Sequence, residues 1–402
     1  MRVAFVASEY PPYVYGGLGT HVEALTSALA ARSVQVELLV PDRPGYVRPP
    51  AGVRLRPVPA GPVDTAEGNV GFWVGFCAGV VSLVERSSIE LDLIHCHDWL
   101  TALAGAGLRA RRRIPLVFTV HLPQIVPPLT ELEALGLAAA DLNVVNSQAM
   151  HRELRDRVPV PESLVVIPNG VDTERFVPGE PAASRAEVLF VGRLVPDKGV
   201  DVLLRSFAAV RARLPEARLV VAGGGDQDLY LRRLARYFGL PPRVDFVGWL
   251  TGSELVERYR RADVVAVPSR YEPFGLVALE AMACGRPVVA SRTGGLAEIV
   301  DDGRTGLLVC PGDHLRLARA LVKLLADDPA RSSAGYAARE HVLRYTWDLV
   351  AEATLTRYTN AVRLPVAAAE PPAPVVWALI TRLPTRARRL AAHVLLGAPE
   401  ES

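Results

Sequence analysis

The chain has 402 residues, 50% of them hydrophobic and 22% charged, enough for two domains that each bury a core and too apolar for a disordered protein. Its 45 basic residues against 43 acidic ones leave a net charge of +2, which gives no electrostatic warrant for a nucleic-acid partner. Cys77, Cys96, Cys284 and Cys310 lie far apart with no C-x-x-C pair, so neither a disulfide framework nor a structural zinc site is expected, as in a reduced cytoplasmic protein.

Read in order, Met1–Ala7 runs quickly into Glu9 and Pro11-Pro12; it lacks the apolar length of a signal peptide and reads as a first strand. Val14-Tyr15-Gly16-Gly17-Leu18-Gly19-Thr20-His21 then opens a helix. Its glycines let an anion approach the backbone, and the missing third Gly rules out a dinucleotide fingerprint. Further strands are read at Val34–Val40, Leu91–Cys96, Leu116–His121, Leu142–Asn146 and Leu164–Pro168. Val70–Val84 is nearly uncharged but too short to span a membrane, and is read as a buried helix.

His95, His97 and His121 fall at the carboxyl ends of two successive predicted strands. In His95-Cys96-His97-Asp98-Trp99 no third metal ligand is expected nearby, and strand alternation sends residues 96 and 97 to opposite faces. The reading is therefore a cleft lining in which His97, Asp98 and His121 bond sugar hydroxyls and Trp99 stacks.

After the linker-like Val177-Pro178-Gly179-Glu180-Pro181, a second series of strands follows at Val188–Gly192, Leu219–Ala222, Val244–Val247, Val264–Pro268, Val288–Ala290 and Leu307–Val309. Twelve strands in two groups of six, alternating with helices, predict an α/β protein of two Rossmann-like doubly wound domains, with ligands in an interdomain cleft at the carboxyl strand ends. In Phe190-Val191-Gly192-Arg193-Leu194-Val195-Pro196-Asp197-Lys198-Gly199, Arg193 and Lys198 suit a diphosphate. Only Lys198 and Lys323 are lysines, so a lysine kept beside this turn points to a site that needs a compact point charge; Lys323 reads as a solvated surface residue. Gly223-Gly224-Gly225-Asp226 reads as a turn.

The segment Pro268–Glu280 leaves a strand, turns through Pro273 and Gly275 and enters a helix, an arrangement that presents free backbone N–H groups to an anion. Glu272 and Glu280 flank that point and are read as acceptors for hydroxyls on either side of a phosphate. Last, Ala367–Pro374 is a linker and residues 375–396 mix Trp377, Leu379, Ile380, Leu390, Val394 and Leu395 with Arg382, Arg386, Arg388 and Arg389. That composition suits peripheral contact with an anionic membrane; Pro384, which breaks it in the middle, equally suits a poorly ordered extension.

Glu272-x7-Glu280 with Ala281–Ala290 and Thr293-Gly294-Gly295, together with Gly192-Arg193-x4-Lys198-Gly199, Ile167–Asp172 and the Gly-rich first loop, resembles glycosyltransferase family 4 over about residues 1–362. The resemblance implies the GT-B fold, two facing Rossmann-like domains, and retaining, metal-independent transfer from a nucleotide-diphosphate sugar to a carbohydrate acceptor, with no cofactor. It implies an acceptor domain over 1–178, a donor domain over 179–345, a helix over 346–362 returning to the first domain, and a linker and tail over 363–402. By the same resemblance Glu280 would bind the donor ribose and Glu272 a hydroxyl of the transferred sugar. Arg193 and Lys198, with Phe274, Gly275 and Leu276 and the loop glycines Gly16, Gly17 and Gly19, would hold the diphosphate, and His121 would lie near the reacting face. Tyr15, His97, Asp98 and Trp99 would face the acceptor.

Within the family the N-terminal motifs are similar to those of bacterial glycogen and starch synthases, including the maltose-1-phosphate synthase type. Tyr15 departs from the Lys of their K-x-G-G-L motif, so the likeness carries to the donor side rather than to a polymerising activity. The expected donor is ADP- or UDP-glucose and the acceptor a glucan or small glucosyl compound. The alternatives are a UDP- or GDP-sugar transferase for a surface polysaccharide, lipid-linked glycan or other glycoconjugate and, from another class, a nucleotide-sugar 2-epimerase, against which the Glu272/Glu280 spacing and the Arg193/Lys198 pair speak.

Overall fold

A computed structural model describes residues 1–60, 68–157, 163–180, 186–363, 366 and 382–396. The linker Ala367–Pro374 and the apolar residues Trp377, Leu379 and Ile380 lie outside the described residues. The chain divides into two compact units. The first is Met1–Asn146 and Met150–Ile167 with the residues from Val350 onward, and the second is Ser147–Ala149 with Pro168–Leu349.

In the first unit seven parallel strands, β1 (Arg2–Val6), β2 (Gln35–Pro41), β3 (Val53–Val58), β4 (Leu93–His97), β5 (Leu116–Val120), β6 (Leu142–Val145) and β7 (Leu164–Val166), stand in the order β3-β2-β1-β4-β5-β6-β7. β1 lies between β2 and β4, with Val3 in register with Val36 on one side and Leu93 on the other. Helices α1 (Gly17–Ala31), α2 (Gly68–Arg86), α3 (Trp99–Arg112), α4 (Leu129–Ala139) and α5 (Gln148–Arg157) alternate with the strands. Helices on both faces explain why β1, β4 and β5 are buried throughout or nearly so and are largely apolar, with His95 and His97 of β4 as buried exceptions.

Strand β3 has no counterpart in the sequence reading. Val53-Arg54-Leu55-Arg56-Pro57-Val58 carries two charges and a proline, which only an edge strand accommodates, and Arg56 forms an ion pair with Glu37 of β2. The count is thus seven and six among the described residues rather than six and six.

In the second unit β8 (Glu187–Val191), β9 (Arg218–Ala222), β10 (Val244–Gly248), β11 (Val264–Val267), β12 (Val288–Ser291) and β13 (Gly306–Val309) form a parallel sheet in the order β10-β9-β8-β11-β12-β13. Its helices are α6 (Val200–Arg211), α7 (Asp228–Tyr237), α8 (Gly252–Arg261), α9 (Leu276–Ala283), α10 (Leu296–Ile299), α11 (His314–Ala326) and α12 (Asp328–Val342). Strand alternation divides the side chains between two cores. Val188, Phe190, Leu219, Val221, Val264 and Ala266 pack on one face, whereas Leu189, Val220, Ala222, Val265 and Val267 pack on the other.

The chain changes units at Ile167–Pro168, before the linker composition at 175–184. Composition misplaces the change because Val171 is already tied into the second unit: its N–H donates to the Tyr345 carbonyl at 2.7 Å, and Val171 and Phe176 are buried in that core. α13 (Trp347–Arg363) then carries the chain back to the first unit, and α14 (Thr385–Leu396) packs on α2 and α3 there. Leu383, Ala387, Ala391 and Val394 are buried in the first core, and Arg111 of α3 donates to the carbonyls of His393 and Val394. The Cβ of any residue other than glycine at 107 would lie 2.5 Å from Val394, so Gly107 lets α14 approach α3. Over residues 383–394 apolar side chains of the tail are buried in the first core, and no described helix is long and apolar enough to cross a membrane.

Candidate functional site

Each sheet reverses its strand order once, at β1/β4 in the first unit and at β8/β11 in the second, and open α/β sheets bind ligands at the carboxyl ends of such neighbours. In the second unit the loop after β8 carries Arg193 and Lys198, and the loop after β11 carries Ser269, Glu272 and the start of α9. Gly275 sits before α9 at φ +117°, in the left-handed region, and a Cβ at this position would meet Leu296 at 2.7 Å, so the turn requires glycine. The backbone N–H groups of Gly275, Leu276 and Val277 donate to no described residue and stand at the positive end of the helix dipole.

Lys198 Nζ donates to Glu272 Oε2 at 2.7 Å, and the Ser269 hydroxyl donates to the same oxygen at 3.1 Å. Arg193 is exposed and has no partner among the described residues, which leaves its guanidinium available to an anion. The two loops are stapled together by Arg270, whose fork grips Asp201 at the start of α6 with bonds of 2.8 and 2.7 Å and whose N–H donates to the Asp197 carbonyl. Inside α9, Glu280 accepts from the Tyr259 hydroxyl at 2.7 Å, and burial pushes its carboxyl up to about 7. The Gly223–Gly225 turn, read only as a turn, also abuts the Arg193 loop, through the Leu194 N–H donating to the Gly224 carbonyl.

In the first unit the ends of β1, β4 and β5 bring together Glu9, the Gly-rich loop, His21, His97, Asp98 and His121. Glu9 Oε2 accepts the N–H groups of Tyr15 at 3.0 Å and Gly19 at 3.1 Å. The Gly19 amide is therefore already engaged by a carboxylate and is not free for a diphosphate, which corrects that part of the sequence reading. Asp98, at φ +58°, likewise turns inward: its Oδ1 accepts the backbone N–H of His121 at 2.5 Å and of Leu122 at 3.4 Å. Its carboxylate holds the His121 loop, where the sequence expected it to bond sugar. Trp99 heads α3 and is half-buried against the first core, and the Tyr15 side chain is 57% exposed.

His97 Nδ1 lies 3.1 Å from His121 Nε2, and the His21 ring from α1 stands edge-on to His121 with centroids 4.5 Å apart. The expectation that no third ligand stands near is overturned: one ring nitrogen from each of His21, His97 and His121 falls within 4.8 Å of the others. The third histidine comes from the helix after β1, and strand alternation says nothing of a helix. Behind them His95 bonds the Thr119 hydroxyl at 2.7 Å and the Tyr358 hydroxyl of α13 at 2.5 Å. Burial holds His95, His97 and His121 well below the ordinary histidine range, so all three are neutral imidazoles at pH 7.

The family models for Glycosyltransferase Family 4 and for Glycosyl transferases group 1 match residues 15–175 and 172–341. A D-inositol 3-phosphate glycosyltransferase of Salinispora arenicola is 36% identical over 392 residues, which cover 86% of this chain and 88% of that protein. The chain belongs to glycosyltransferase family 4. A glycogen synthase of Mycobacterium tuberculosis is 33% identical, covering 90% of this family 4 chain and 95% of its own. Sucrose-phosphate synthase from Thermosynechococcus elongatus superposes with a TM-score of 0.79 at 29% identity, over 89% of this chain and 98% of that one. The fold is GT-B, and this family 4 protein is a retaining hexosyltransferase that uses a nucleotide sugar.

Besides His21, four residues of the candidate site escaped the sequence reading. Glu9 lay within a motif that carried no role, Tyr259 and Arg270 act through partners that only the folded sheet brings near, and Ser269 bonds Glu272 within its own loop. Ser269 and Arg270 had a weak signal, since both stand in the loop between β11 and α9.

Proposed function

We propose that the chain transfers a glucosyl group from ADP- or UDP-glucose, with retention, to a glucan or small glucosyl acceptor. The observation that carries this reading is the ion pair of Lys198 and Glu272 set before the three open amides of α9, with Arg193 unpartnered nearby. In the reaction the bond from the anomeric carbon to phosphate breaks with its electron pair leaving on the diphosphate. A new bond forms to the acceptor oxygen on the same face, and the acceptor proton passes to the departing phosphate.

Fixed cations and amides stabilise the developing negative charge, and this electrostatic stabilisation is the main catalytic contribution. Arg193, Lys198 and the amides of Gly275 and Leu276 hold the diphosphate, Glu280 takes the ribose hydroxyls and Glu272 a hydroxyl of the sugar. By the family resemblance His121 serves the reacting sugar, and the cationic side chains do the work a metal would otherwise do.

The relatives named D-inositol 3-phosphate glycosyltransferase favour a second acceptor, a small polyol phosphate. The test is turnover of ADP-, UDP- and GDP-glucose against maltooligosaccharides, glucose 1-phosphate and inositol 3-phosphate, with the product anomer read by NMR. The reading expects α-linked product from ADP- or UDP-glucose with a glucan or glucosyl acceptor, in the presence of EDTA as in its absence. Transfer to inositol 3-phosphate alone would move the assignment to the second acceptor. Lys198→Ala is expected to lower kcat about 100-fold, the scale of losing one preorganised charge at the leaving group. Near-native turnover of that variant would remove Lys198 from the mechanism.

A further inference from the structure

We propose that His21, His97 and His121 bind one divalent cation of the zinc class, and that its occupancy blocks sugar transfer. Three buried imidazoles converge from α1, from the end of β4 and from the residue after β5, each 8% exposed or less. Zinc takes histidine nitrogens at about 2.0–2.1 Å in tetrahedral geometry, which sets two such nitrogens roughly 3.4 Å apart. His97 Nδ1 and His121 Nε2 stand at 3.1 Å, near that edge length, and all three ligand nitrogens lie within 4.8 Å of one another.

His97 is fully buried and its Nε2 has no partner among the described residues. Nothing there pins the tautomer, so the proton can reside on Nε2 and leave the Nδ1 lone pair for a metal. When the cation enters, the proton shared along the His97–His121 contact moves to a free ring nitrogen, and both rings stay neutral. Asp98 accepts the His121 backbone N–H and so fixes the loop that carries this ring. Three protein nitrogens leave a fourth position for water.

The blocking effect rests on the reading that places His121 at the reacting face, because a coordinated ring can no longer serve there. Cation binding itself does not depend on that reading.

The test is titration of the metal-free full-length chain with Co²⁺, followed by its visible ligand-field absorption, and with Zn²⁺ by calorimetry. One equivalent with a tetrahedral spectrum is expected. Affinity should fall at least tenfold in His97→Ala and in His21→Gln, and should hold in His151→Gln, a histidine of α5. Circular dichroism of each variant establishes that it has folded, and the wild-type spectrum stands without them. No tetrahedral spectrum in wild type, or wild-type affinity in both folded site variants, would overturn the site. In the transfer assay, Zn²⁺ should inhibit with the midpoint of its binding; stoichiometric binding with undiminished transfer would overturn the blocking role. Absence of transfer under every condition would instead count against the functional reading, with the binding result still legible.

Discussion

Glu280 couples the donor site to pH. Burial raises its carboxyl to about 7 against an ordinary 4.5, while the Tyr259 hydroxyl and the charge of Arg175 pull the other way. The folded chain therefore holds a proton that the unfolded chain has released, and this group's contribution to stability falls as pH rises from about 4.5 to about 7. A ribose that bonds the ionised carboxylate draws on the opposite preference. Donor affinity by calorimetry should increase from about pH 6 to about pH 8 and then level off, and Glu280→Gln should be weaker and flatter across that window. A wild-type affinity independent of pH would contradict the ribose role. Glu280, Glu272, Gly275 and Lys198 were legible in the sequence because each lies in a short segment whose turn and helix start are local. Tyr259, Glu9 and His21 were not, because what each does depends on a neighbour supplied by another element.

At the scale of elements, the parallel strands were legible as apolar runs because helices cover both faces, and β3 was missed because an edge strand keeps its charges. The tail was left between two readings for a related reason. Apolar and basic residues in alternation describe a helix lying on a bilayer and a helix lying on its own domain equally well, and what decides is the apolar surface that α2 and α3 present to α14. Val394 is 1% exposed and packs where Gly107 leaves room. Val394→Asp should therefore lower stability by about 2–4 kcal/mol, through lost burial and an unpaired buried charge. Denaturant unfolding measures this, and a change below about 0.5 kcal/mol, the range of an ordinary surface substitution, would show that α14 does not dock.

For the whole molecule, two sheets that each reverse order once account for where the chemistry collects. The sequence anticipated two Rossmann-like sheets from the alternation of strands and helices, but it put the change of unit at a linker composition. Packing of Val171 and Phe176 moves it earlier. The central claim is that the second unit holds a diphosphate between Arg193, Lys198 and the α9 amides. Arg193 offers the cleanest test, since it is exposed and bonds no described residue, so its removal leaves the fold intact. Titration calorimetry of ADP and UDP into wild type and Arg193→Ala is the direct measurement. At least one nucleotide should bind wild type, and the variant should bind it about 10- to 100-fold more weakly, the scale of one hydrogen bond to a charged group. Equal affinity in the two proteins would contradict the account.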